Sequence, residues 1–347
     1  MELYFTVWLG VLGLCVGSFL NVVIARVPHG ESVVRPRSKC PKCGHQLPWY
    51  ENIPVLSWLW LRGKCSGCKA PISPRYILVE LLTGILFIAA LERTGWDWSL
   101  VRLLTFLTLL LPLIFIDAET WLLPFSLTLP GIASGLLLAA PQGWPAVKSA
   151  LWGAGLGFLI YRSMEFLGWL GTSWKNPKTG RREGKEALGA GDKYLVAMIC
   201  AALGLRSLLA VVFLSSLQSA AYALIAMRLT GRAGPAPAPS TTADEEEEEE
   251  DDRRPWTPVV FDRSKPLWWR LLVGLPDTLF TQDIPDSLPI DPSTGEEEEW
   301  VPQANNLPLG PWLGLAALEW LFLGNWLANL FADTPFSLTA ELMFGTW

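Results

Sequence analysis

Two aspartates stand where an apolar run meets a polar turn. Asp192 closes Gly189-Ala190-Gly191-Asp192 ahead of the apolar run Tyr194 to Leu205, and Asp117 ends the run Leu100 to Ile116, before Ala118-Glu119-Thr120-Trp121-Leu122-Leu123-Pro124. A carboxylate at the mouth of a membrane helix is expensive, so its presence there points to function. Two such groups at one interface suit acid–base chemistry. Brought close together they cannot both ionise cheaply, so one keeps a proton to polarise a carbonyl while the other activates water. That is the division of labour of the aspartic proteases. Glycines at 189 and 191 fit it, because backbone without a Cβ can approach a substrate strand or a facing helix closely. Glu119 offers a further acid in the first turn. The two histidines, His29 and His45, both lie in the first loop, which leaves no credible Ser/His or Cys/His nucleophile pair.

A second constellation is metal-binding. Cys40-Pro41-Lys42-Cys43 and Cys65-Ser66-Gly67-Cys68 are two CxxC knuckles about twenty residues apart, the spacing of a four-thiolate zinc site. Two disulfides are the alternative, disfavoured if the loop faces a reducing compartment. His45 is a substitute ligand only if a thiolate is missing. Cys15 and Cys200, inside apolar runs, read as packing residues. Three polar residues flank this loop. Asn21 shares a helix face with Ser18 beside Gly17, an arrangement that serves either helix packing or a nearby site. Arg26 follows the first apolar run, and Glu80 sits about one turn inside the second, as a functional carboxylate or the partner of a loop arginine.

The elements that position these groups are membrane helices. Hydrophobic residues make up 51% of the chain, with 19 Trp, and several apolar runs approach the roughly 20 residues that cross a bilayer as helix. Their unbroken apolar character argues for helices, since a lipid-facing strand alternates with period two. The fold class expected is all-α, a polytopic membrane bundle. Its eight runs are 3–24, 76–91, 100–116, 124–140, 147–170, 192–205, 207–227 and 311–331. Gly153-Ala154-Gly155-Leu156-Gly157 superficially resembles a nucleotide-binding glycine motif. It lacks the preceding strand such a motif needs, and small residues for helix packing are the better reading. Arg162 and Glu165, three apart, are placed to pair. No nucleic-acid partner is implied.

Charge gives the orientation. The net charge of −6 conceals a basic membrane body, because residues 231–306 hold 18 of the 33 acids and 6 of the 27 bases. Bases crowd the loop after the first run, from Arg26 to Arg75, and the loop from Lys175 to Lys185, so both loops are expected in the cytoplasm and the N-terminus outside. The division expected is a first span at 1–24, a zinc-binding loop at 25–75, a core at 76–230, an acidic and mostly disordered insertion at 231–306, and a last span with its tail at 307–347.

In combination these pieces resemble the type IV prepilin peptidase family, bifunctional leader peptidases and N-methyltransferases of bacterial inner membranes. The resemblance rests on Gly17 to Asn21 with Arg26 and Pro28, the two CxxC pairs, Arg75-Tyr76 with Glu80, Asp117 with Leu123-Pro124, Gly189 to Asp192, and Leu307-Pro308-Leu309-Gly310-Pro311. It implies that Asp117 and Asp192 form the protease dyad and that the loop at 25–75 belongs to the methyltransferase portion. It also implies prepilin or pseudopilin substrates, cut after glycine at the cytoplasmic face and methylated from S-adenosylmethionine. Asn21, Arg26 and Glu80 are then candidates near the methyl-transfer site. Two positions depart from the family pattern. Phe125 stands where an Asp often follows the Leu-Pro, and Tyr194 stands where a Lys often lies two residues after the GxGD aspartate, Lys193 being one residue early. The rivals are a peptidase without methyltransferase activity and, from another class, a zinc-loop membrane scaffold or transporter.

Overall fold

A computed structural model describes residues 2–172, 174–175, 182–183, 189, 191–231, 307–330 and 337–344. The acidic insertion from 232 to 306, Ala190 and most of the basic stretch from 176 to 188 lie outside the described residues.

Each apolar run becomes a helix, bounded by the residues that punctuate it. Helix α1 (Glu2–Arg26) ends in a 3-10 turn at Val27–His29 that contains Pro28 and closes on Gly30 in the left-handed conformation. After the short α2 (Leu56–Trp60), α3 (Arg75–Thr94) starts just past Pro74 and ends at Gly95. Helix α4 (Trp98–Thr120) is capped by Asp97, whose side chain accepts from the Ser99 amide, and stops at Trp121. Helix α5 (Phe125–Leu137) begins past Pro124, which cannot continue α4, and α6 (Trp144–Thr172) is the longest. Then come α7 (Asp192–Leu203), α8 (Arg206–Thr230), α9 (Gly310–Leu330) and α10 (Ser337–Phe344). The described strands are β1 (Trp174–Lys175) and β2 (Arg182–Glu183), which pair antiparallel.

The eight apolar runs all lie on helices, but they are not equivalent. Among the described residues, five helical segments are long and apolar enough to cross a membrane: Leu3–His29, Trp98–Thr120, Phe125–Gln142, Arg206–Thr230 and Gly310–Leu330. Helix α7 has 12 residues, which gives about 18 Å against a hydrocarbon core of roughly 30 Å. It cannot span alone. Every one of its residues is buried, because α5, α6, α8 and α9 pack around it. Its apolar character serves protein contact on all sides.

The remaining packing brings α1 against α3 and α9 against α4 and α8. The α1–α3 approach is close: a Cβ on Gly17 would lie 2.7 Å from Glu80 Cα, so the small residue sets the helix separation. Gly153 and Gly157 face α7 and the turn before α8, as packing glycines should, while Gly155 faces open space. Cys200 is buried as expected. Cys15 is exposed rather than packed, and it borders the space between α1 and the cysteine loop.

Candidate active site

Asp117 and Asp192 are each about 5% exposed and enter from opposite helix ends. Asp117 lies in the last turn of α4, where Trp121 takes a left-handed conformation and its amide bonds back to the Asp117 carbonyl at 3.0 Å. That turn redirects the chain into Leu122-Leu123-Pro124. Asp192 opens α7, its amide donating to the Gly189 carbonyl at 3.1 Å and its carboxyl group facing the Gly189 amide. The Asp192 carboxyl lies within electrostatic reach of Asp117.

Two glycines close the gap between these elements. A Cβ on Gly191 would sit 2.7 Å from Leu123 Cβ, so the GxGD turn rests directly on the segment that follows Asp117. A Cβ on Gly310 would sit 2.5 Å from Asp117 Oδ2, so the start of α9 forms a wall against the carboxyl group, with the Gly310 amide beside it. Asp117 Oδ2 is buried without a hydrogen-bond partner among the described residues. A buried carboxylate oxygen left open is a group waiting for a ligand proton or water. Glu119 is turned away: it is partly exposed and ion-paired to Arg75 at the start of α3. Of the two acids in that turn, only Asp117 faces Asp192's side of the bundle.

A buried charge network adjoins Asp192. Lys193, 2% exposed, donates to Glu165 at 3.0 and 3.2 Å, and Arg162 pairs with the same carboxylate at 2.8 Å. The i,i+3 spacing reveals the Arg162–Glu165 pair in the sequence. The lysine, 28 residues further on, carries no such signal. Phe125 and Tyr194, the two departures from the family pattern, meet in space with ring centroids 4.8 Å apart, edge to face. An aromatic contact thus joins these two positions.

The loop between α1 and α3 holds the four cysteines. Their sulfurs all lie within 4.8 Å of one another, with Cys40–Cys68 at 3.8 Å and Cys43–Cys65 at 3.9 Å. Zn–S bonds of about 2.3 Å at tetrahedral angles put sulfurs ~3.8 Å apart, so the set fits a tetrahedral ion. Each knuckle is folded the same way: the Cys40 amide bonds to the His45 carbonyl and the Cys65 amide to the Ala70 carbonyl, both at 2.9 Å. His45 does not join the sulfurs; its Nε2 lies 3.5 Å from Glu51 Oε2.

Asn21 and Glu80 are both buried on the facing sides of α1 and α3, Asn21 Nδ2 donating to the Tyr76 carbonyl at 3.0 Å. Glu80 does not pair with a loop arginine. Its Oε2 accepts from the Val55 amide at 2.7 Å. Arg26 is a clasp, donating to the Ser32 and Pro36 carbonyls, both at 2.9 Å.

A multi-pass helical membrane protein with a buried aspartate pair and a four-thiolate knuckle is a narrow class. The chain belongs to the type IV leader peptidase family. The model of that family matches residues 103–224, and the model described as the bacterial peptidase A24 N-terminal domain matches residues 11–94. The prepilin leader peptidase/N-methyltransferase of Myxococcus xanthus (strain DK1622) is 53% identical over 329 residues, covering 94% of this chain and 92% of that one. Those of Aeromonas hydrophila and Neisseria gonorrhoeae are each 39% identical, covering 68% and 64% of this chain and 86% and 82% of their own. No solved structure matches the chain.

Proposed function

We propose that this protein is a membrane aspartyl endopeptidase that removes the short basic leader of type IV prepilins or pseudopilins at the cytoplasmic face and N-methylates the new N-terminus. The observation that carries the reading is the pair of buried aspartates, one at the end of α4 and one at the start of α7, held together by Gly191 against Leu123. Water attacks the scissile carbonyl carbon and gives a proton to the unprotonated carboxyl of the pair. The other carboxyl, holding the shared proton, polarises the carbonyl oxygen and then protonates the leaving amine as the C–N bond breaks. Gly310 and Leu123 close the site around these groups and shield it from bulk solvent, which strengthens each charge inside it. The base-rich loops at 26–75 and 175–185 support a cytoplasmic site with the N-terminus outside.

Residues 25–75 form the zinc-binding portion, associated with methyl transfer, 76–230 the peptidase core, and 307–347 the last membrane helix with its tail. Cys40, Cys43, Cys65 and Cys68 would hold a Zn2+ ion, which would tie the two knuckles together. S-adenosylmethionine supplies the methyl group. The test is paired substitution: Asp117→Asn and Asp192→Asn insert in the membrane but leave a co-expressed prepilin uncut by intact mass, whereas Glu119→Gln, outside the pair, cuts normally. Full leader removal by either Asn variant refutes the assignment.

A further inference from the structure

Between α1, α3 and the cysteine loop lies a cavity of about 1050 Å³, roughly the upper size of a small-molecule site. Its polar lining is unfinished. Asn21 is 2% exposed, yet among the described residues its Oδ1 has no hydrogen-bond partner, and the Trp58 indole N–H and Arg75 Nε are also buried without one. Buried polar groups are nearly always paired, so three orphans around one cavity mark where a ligand completes the network. Glu80 adds a buried carboxylate within hydrogen-bonding reach of Ser18. It is held by the amide of Val55, a β-branched residue at φ 62, a conformation maintained only where surrounding structure insists on it.

We infer that this cavity is the methyl-donor site, and that it takes S-adenosylmethionine with Asn21 and Glu80 as ligand-binding residues. The inference rests on the methyltransferase half of the proposed function. The chemistry fits in kind. An adenine presents donors and acceptors that suit an unpaired amide oxygen and an unpaired indole N–H, and a sulfonium with its α-ammonium suits a buried carboxylate. The placement also fits. Arg75 lines the cavity, and its guanidinium pairs with Glu119, two residues past Asp117, so donor cavity and aspartate pair lie on either side of one ion pair. At the cavity mouth the pilin amine, having lost its extra proton to water, attacks the sulfonium methyl carbon. The N–C bond forms as the C–S bond breaks, the thioether sulfur keeps the bonding pair, and the methylated amine carries a positive charge.

The test uses the full chain purified in detergent and S-adenosylhomocysteine, the product, which binds without being consumed. Calorimetric titration is expected to show at least a tenfold rise in Kd for Asn21→Ala and for Glu80→Gln, with zinc content and melting temperature confirming that each variant is folded. On the wild type, a photoreactive 8-azidoadenosyl analogue is expected to label peptides from 18–37 or 54–80. If the wild type methylates pilin but labelling falls elsewhere, or both variants bind as the wild type does, the cavity is not the donor site and the proposed function stands. If the wild type cuts pilin yet neither binds the homocysteine product nor methylates, the methyltransferase reading itself is overturned.

Discussion

Gly191→Ala tests whether the aspartate pair depends on the close approach of two turns. Gly191 has φ −78 and ψ −27, a conformation any residue adopts, so alanine introduces no backbone strain. All of the effect comes from the added methyl group, which would stand 2.7 Å from Leu123 Cβ and 3.1 Å from its Cδ1. Ordinary contact at about 3.4 Å or more then requires the turns to part by at least ~0.7 Å, since Leu123 Cβ is fixed to its own backbone. A misplacement of about 1 Å can lower a rate on the order of 100-fold, so kcat/KM for leader removal is expected to fall between about 10- and 100-fold, about 1.4–2.7 kcal/mol of transition-state stabilisation. Overpacking adds roughly 1–3 kcal/mol of destabilisation. The assay is single-turnover cleavage of a purified prepilin in detergent, alongside thermal unfolding. Gly155→Ala is the control, because nothing lies within 4 Å of a Cβ there; it should cut normally. Wild-type kcat/KM in Gly191→Ala would refute the claim that this contact sets the geometry of the pair.

The other predictions concern the groups around that site. Cys43→Ser leaves three thiolates, and metal analysis is expected to show loss of zinc together with faster proteolysis of the loop, methylation falling more than cleavage. Glu165→Ala removes the carboxylate that Lys193 and Arg162 share in a buried site, so stability should drop by about 3–5 kcal/mol, read as a fall in Tm. Phe125→Asp and Tyr194→Lys should each destabilise the chain by unfolding measurements. The double substitution should lose less than the sum, because the two side chains touch and the ionic pair can take the place of the aromatic one.

Much of this was legible in the sequence, for identifiable reasons. Long apolar runs can satisfy their backbone in lipid only as helices, so all eight appear as such. The cysteine spacing encodes a local turn, and the knuckles at Cys40 and Cys65 fold nearly alike because each needs only its own few residues. What the sequence hid depends on contacts between distant segments. Lys193 looked misplaced by one residue, and only the packing of α6 on α7 shows that Glu165 receives it. The size of α7 was readable, but its burial on every side was not, since a short apolar run looks the same against lipid and against protein. Gly310 showed up as a family feature of the last span without its role. The cavity beside Asn21 had no pattern at all, because it is defined by what three segments leave empty.

The wall that Gly310 builds against Asp117 has a consequence in time. Asp117 and Asp192 are both made well before α9, and Gly310 is 118 residues beyond Asp192. At about 5–20 residues per second, a ribosome needs roughly 6–24 s to cover that distance. Until then the wall that Gly310 forms against Asp117 is missing. An aspartate pair flooded by solvent loses the preorganised field on which its chemistry depends. Helix α9 is therefore the wall of this chamber that is made after both aspartates.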